Sequence, residues 1–242
     1  MRMLSLTVFK RILFAAMLSI LFFPSVAATQ QPPLQKVCAE YSDPFDTYKA
    51  ERWQEVLLYS KALGAVAVEN GKLTLTTPKD EPCEIQVYSL FCLVGDFDIQ
   101  ADYDFSEPPQ LPRCRFNAGL VVQTPGDQRS YKCYIAAAEK EDFFFRSRLD
   151  SSGDHNIERF KGTVAAQSGS IRIVRKGRHV SFLALEAGEW HTVYNFKEPS
   201  NEKLRVRFKL QTSGEDEGLQ PCPVTVKFDN FKVNSCDGIV EE

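Results

Sequence analysis

The stretch that decides the fold is residues 171–196, IRIVRKGRHVSFLALEAGEWHTVYNF. Apolar and polar residues alternate through most of it, which is the period of a half-buried antiparallel sheet and not of a helix. Turn-forming pairs stand at Lys176-Gly177 and Ala187-Gly188. The stretch therefore reads as three strands joined by two tight turns.

Working outward, residues 203–210 (KLRVRFKL) alternate just as strictly, with Leu204, Val206, Phe208 and Leu210 inward and Lys203, Arg205, Arg207 and Lys209 outward. Residues 96–105 (DFDIQADYDF) place Phe97, Ile99, Ala101, Tyr103 and Phe105 on one face, and Asp96, Asp98, Gln100, Asp102 and Asp104 on the other. An all-acidic and an all-basic face suit neighbouring antiparallel strands, so these two are expected side by side on one sheet. Residues 65–75 (AVAVENGKLTL) form a hairpin whose Asn70-Gly71 tolerates the positive φ of a two-residue turn. Residues 85–93 read as a strand of their own, and 115–123 pairs with 130–138. In 142–149 (DFFFRSRL), alternation buries Phe143, Phe145 and Leu149 and turns Phe144, Arg146 and Arg148 the other way. Residues 151–168 read as one long loop or a poor edge strand, and 224–233 closes the domain as a final strand. Trp53 is expected in the core, where its indole N–H needs an acceptor.

That makes about a dozen strands and no helix after the leader, an all-β antiparallel sandwich of two sheets. Residues 1–28 read as a secretory signal: Arg2, Lys10 and Arg11 precede a short apolar run, Pro24 and the small residues Ser25-Val26-Ala27-Ala28. A short lead follows over 29–42, then a single domain over 43–236 and a tail over 237–242. The expected compartment is extracellular or periplasmic. The formal net charge of -3 gives no field that favours nucleic acid or an anionic membrane, and no hydrophobic tail suggests a membrane anchor.

The chain has seven cysteines, which in an exported protein predicts three bridges and one odd thiol. The pairing singled out is Cys38 with Cys236, because these flank the structured part and a sandwich often brings its ends together.

An ordered set of motifs is similar to the concanavalin A-like lectin/glucanase superfamily, whose jelly-roll sandwich also includes laminin-G-like domains. The motifs are PFDTYKAERW, VENGKLTL, GDFDIQADYDF, AGLVVQ, SIRIVRKGRHVSFLAL with GEWHTVYNF, and VKFDNFKV, covering residues 45–233. The resemblance implies one concave and one convex sheet, with glycans bound on or beside the concave face. Glucanases of the superfamily carry Glu-x-Asp-x-Glu or Glu-x-Asp-x-x-Glu on one strand, because a retaining mechanism needs two carboxyls about 5–5.5 Å apart. Neither motif is present. Glu139-Lys140-Glu141-Asp142 reads as a charged turn, and the acidic row of 96–104 as a solvated outer face.

For glycan binding, aromatic rings meet sugar C–H faces while polar groups meet hydroxyls. Tyr134, Phe144, Arg146, Arg148 and His191 are the candidates, and the arginines favour an acidic or sulfated sugar. The resemblance also implies a structural calcium, with Asp43, Asp46 and Asp229 as oxygen donors; no other cofactor is indicated. The chain thus reads as a secreted, non-catalytic carbohydrate-binding or recognition module with a polysaccharide partner. The alternatives are a glycoside hydrolase or lyase with a diverged acid pair, and a protein-interaction domain of laminin-G kind.

Overall fold

The computed structural model describes residues 34–58, 64–78, 81–105, 115–126, 129–137, 144–151, 158–197, 202–212 and 222–242, all within one compact unit, Pro32–Glu242. The expected signal segment, Phe143 and the 139–142 acidic turn lie outside the described residues. Among the described residues, a short helix α1 (Leu34–Glu40) precedes thirteen strands: β1 (Trp53–Leu58), β2 (Ala65–Glu69), β3 (Lys72–Thr76), β4 (Glu84–Asp104), β5 (Phe116–Gln123), β6 (Arg129–Ala137), β7 (Phe144–Ser151), β8 (Glu158–Val164), β9 (Ser168–Lys176), β10 (His179–Glu186), β11 (Glu189–Lys197), β12 (Leu204–Thr212) and β13 (Thr225–Glu241).

All pairings are antiparallel, and β4 belongs to both sheets. Its first half lies between β1 and β12, and the first sheet runs β1-β4-β12-β5-β6-β7-β8. Its second half lies between β13 and β9, and the second sheet runs β2-β3-β13-β4-β9-β10-β11. The sequence shows two strands here; the structure shows one of 21 residues. Gly95, at φ 66°, turns the chain without ending the ladder. A Cβ there would meet the side chain of Asp237, whose Oδ2 accepts the Asp96 N–H at 2.7 Å.

Alternation explains the core. The inward residues of β12 (Leu204, Val206, Phe208, Leu210) and of the second half of β4 (Phe97, Ile99, Ala101, Tyr103) are buried, as expected. Rings from the two sheets meet between them: Phe208 and Phe228 at 4.9 Å, Tyr131 and Phe196 at 5.8 Å, Phe145 and Phe182 at 6.0 Å. Truncating Phe208 to alanine would cost about 3–5 kcal/mol. The Asn70-Gly71 and Ala187-Gly188 turns carry positive φ at both residues, as type I′ hairpins require.

Several expectations are corrected. The acidic and basic strands are not neighbours: β12 pairs the first half of β4, whereas Asp96–Asp104 lie on the second half. Asp98 bonds Arg172 of β9 instead, and Asp104 pairs with Lys72 at 3.3 Å. Of the two readings of 151–168, a long loop or a poor edge strand, the edge strand holds over 158–164, which pairs with β7. Elements extend past the expected limits of 43 and 236, since α1 precedes and β13 continues to Glu241 against β4. The helix escapes a reading by periodicity because it is only 7 residues long. It is tied down by a Cys38–Cys236 disulfide with Cα atoms 5.8 Å apart, the pairing the sequence singled out. Cys222 is disulfide-bonded as well. Cys83, Cys92 and Cys133 are free and buried, so the seven cysteines form at most two bridges and not three.

Candidate functional site

The outer face of the first sheet is where the chemistry-bearing residues gather. Strand register sets them in rows, because residues opposite one another share a face. One row reads Gln86, Lys209, Gly119, Tyr134, Arg146. The next reads Tyr88, Arg207, Val121, Lys132, with Arg148 in register beside Lys132. A third reads Cys92, Arg205, Gln123, Ser130, with Asp150 in register beside Ser130.

These residues are held to one another. Lys209 Nζ stands 2.6 Å from Glu84 Oε1, with only 8% and 7% of the two side chains exposed. Gln86 donates to the same Glu84 oxygen and accepts from Arg207 at 2.7 Å. The Arg205 and Arg207 guanidinium carbons lie 4.8 and 5.7 Å from the centre of the Tyr88 ring, both within cation–π range. Arg146 reaches from β7 across β6 to donate to Asn117 Oδ1 on β5, at 3.2 Å. At the far end, Glu242 takes Lys203 at 2.7 Å and Arg205 as ion partners, and accepts from the Cys92 thiol at 3.2 Å. Burial alone would push the Glu242 carboxyl up. The hydrogen bonds from Lys203, Arg205 and Cys92 outweigh it and bring the carboxyl down to about 2.

Of the sequence candidates, Tyr134 and Arg146 are directly opposite one another, and the backbones of Phe144 and Arg148 occupy neighbouring register positions on β7. Two corrections follow. Tyr134 is buried, 3% exposed, so its ring is not presented to a sugar; Arg146 spans the strand that carries it. His191 is exposed on β11, an edge strand of the other sheet, and does not join the group. Trp190 stays on that same strand, with the Arg172 guanidinium 5.3 Å from its ring centre.

The calcium donors are not brought together either. Asp43 is fully buried and accepts from the Phe45 N–H, Lys49 Nζ and Trp53 Nε1–H, each at 2.9 Å. Asp46 is exposed beside Gly71, and Asp229 lines a hollow on the second sheet with Asp102, Asp104, Lys72 and Lys227. Asp102 there accepts from Ser170 at 2.5 Å and from Asn230 at 2.9 Å. Among the described residues, no group of three or more His, Cys, Asp or Glu converges on a metal position.

Sequence reasoning missed Glu84, Gln86, Tyr88, Arg205, Arg207 and Lys209 as a group. The signal was the outward half of the KLRVRFKL alternation, read there as a basic face set beside the acidic strand. Arg207 and Lys209 are in fact buried, 8% and 6% exposed.

No family model matches the chain, and no curated protein does. Solved structures do. The β-glucanase of Bacillus licheniformis superposes with a TM-score of 0.56 at 13% identity, over 79% of this chain and 96% of that one. The two share the jelly-roll sandwich fold. A structure described with endo-acting O-glycanases of the human gut microbiota gives a TM-score of 0.59 at 13% identity, over 81% and 98%. The immunostimulatory antigen and pseudo β-1,3-glucanase of Mycobacterium tuberculosis gives 0.57 at 15%, over 81% and 98%.

These likenesses correct the expectation of a non-catalytic module. Enzymes that cut glycans share this concanavalin A-like sandwich, so the fold is no ground for setting catalysis aside.

Proposed function

We propose that the protein is an exported carbohydrate-active enzyme of the glycoside hydrolase or lyase class. In this reading an anionic polysaccharide lies across the outer face of the first sheet. The sandwich shared with glucanases supports the class. Charge on the face carries the substrate: the partly exposed Arg146, Arg205 and Lys132 stand in its rows beside the buried Arg207 and Lys209, against the carboxylates Glu84 and Glu242 and, by register, Asp150. Glu84 and Glu242 are already engaged by lysine or arginine. Guanidinium groups match carboxylate and sulfate oxygens with two parallel hydrogen bonds, so this face favours acidic sugars over neutral ones.

Elimination uses such a face directly. A cation that neutralises a uronate carboxylate acidifies the neighbouring C–H. A base then takes that proton, a C=C bond forms, and the C–O bond to the leaving sugar breaks, the leaving oxygen taking up a proton. Hydrolysis instead needs a second carboxyl poised to give a proton.

The test is incubation of the purified protein with a polyuronate, a sulfated glycan and a neutral β-glucan. New reducing ends report cleavage of any kind, and ultraviolet absorbance of an unsaturated uronate reports elimination. Product from an acidic glycan supports the reading. Binding without product from any of the three, or product from the neutral glucan alone, overturns it.

A further inference from the structure

We propose that Lys203 and Arg205 form a carboxylate subsite at the β4–β12 end of the outer face, and that Glu242 of the same chain occupies it as an internal competitor. The inference rests on the reading of that face as a glycan site and names the group that one end of it takes.

Register places the parts. Cys92, on β4, lies between Arg205 on β12 and Val240 on β13. The Glu242 N–H donates to the Leu90 carbonyl at 3.0 Å, which fixes the backbone just past β13. Its side chain then crosses above Cys92 to Lys203 and Arg205, on the same side of the sheet as the rows described above. The Arg205 guanidinium rests over Tyr88, which it shares with Arg207 of the next row. The cationic pair is thus continuous with the rest of the face, and the anion it holds is a carboxylate.

A uronate presents the same group. Planar carboxylate oxygens, a lysine point charge and an arginine fork are matched whether the acid belongs to Glu242 or to a sugar. The backbone of Glu242 need not move for the exchange; rotation of its side chain releases the pair. The Lys203 side chain is 44% exposed, so an incoming glycan has a path to it. While Glu242 is seated, only a fraction of the molecules offers the subsite, and the apparent affinity for an acidic glycan falls by that fraction.

The experiment is titration calorimetry of the full chain with a trigalacturonate and, separately, with its neutral trisaccharide counterpart. Wild type, Glu242→Gln and Arg205→Gln are compared, with near-ultraviolet circular dichroism to show that each is folded. Glu242→Gln is expected to bind the triuronate roughly three- to tenfold more tightly than wild type. Its binding of the neutral sugar stays unchanged, and Arg205→Gln shows no such gain over wild type. Unchanged or weaker triuronate binding by Glu242→Gln overturns the subsite, as does an equal gain for the neutral sugar. If polyuronate is cleaved yet Glu242→Gln changes no affinity, the subsite falls and the reading of the face stands. If neither wild type nor Glu242→Gln binds or cleaves an acidic glycan, both fall.

Discussion

The indole N–H of Trp53 donates to Oδ2 of Asp43 at 2.9 Å, and both side chains are buried. The same carboxylate takes the Phe45 N–H and Lys49 Nζ on Oδ1. The Trp53 ring lies 5.4–5.7 Å from Phe45, Phe208 and Phe231. The aspartate thus ties the lead-in to Trp53, whose ring meets Phe208 of the first sheet and Phe231 of the second. Asp43→Ala leaves three donors without their acceptor, and is expected to lower stability by about 3 kcal/mol in urea unfolding. A loss below about 1 kcal/mol would show that the carboxylate fastens nothing.

Lys209 and Glu84 form a nearly buried ion pair at 2.6 Å. Lys209→Met removes one partner and should cost about 3 kcal/mol, because it strands a buried charge. Lys209→Met combined with Glu84→Gln should recover most of that loss in the same denaturation experiment. Additive losses would mean that the two do not act as a pair.

Gly119 lies between Lys209 and Tyr134 in register. A Cβ there would run into the Cys133 carbonyl oxygen and stand 3.0 Å from the Tyr134 Cα, both backbone atoms of β6. Gly119→Ala should therefore cost about 3 kcal/mol, read as a lowered melting temperature. A neutral outcome would show that β5 and β6 can part without cost.

Burial pushes the Cys133 thiol well above its ordinary value. At Cys92, burial comes first, and the bond to Glu242 adds to it, raising the thiol to about 12. Such groups keep their protons in the folded state and lose them on unfolding. The contribution of each is complete below the ordinary thiol value of 9.0 and falls away as pH rises, for Cys92 toward about 12. Glu242 has the opposite sense, contributing fully above 4.5 and losing its part as pH falls toward 2. Unfolding monitored across pH should show stability declining above about 9 in wild type, and less steeply in Cys92→Ala. Identical alkaline limbs would contradict this.

Strict alternation made much of the fold legible. Residues 97–105 and 204–210 each bury the face that their period assigns. Pairing was harder to read. Asp98 and Lys209 each needed an opposite charge, but many strands can supply one, and Arg172 and Glu84 did so. The long β4 was hidden because Gly95 resembles a turn in sequence whether or not the ladder continues through it. On the candidate face, the juxtaposition of Tyr134 and Arg146 was legible because consecutive strands tend to pair, but the burial of the Tyr134 ring was not. Arg205, Arg207 and Lys209 were not, since an outward charge reads the same whether water or protein covers it. His191 was misplaced because no local pattern says which sheet a strand will join.

Hydrogen exchange of the full chain with and without a polyuronate tests the account most directly. The expected result is slowed exchange on β12, β6 and β7, the strands that carry Arg205, Lys132 and Arg146, and on β5, which lies between β12 and β6. Slowed exchange on β9, β10 and β11 alone, or none on any strand at saturating polyuronate, would contradict it.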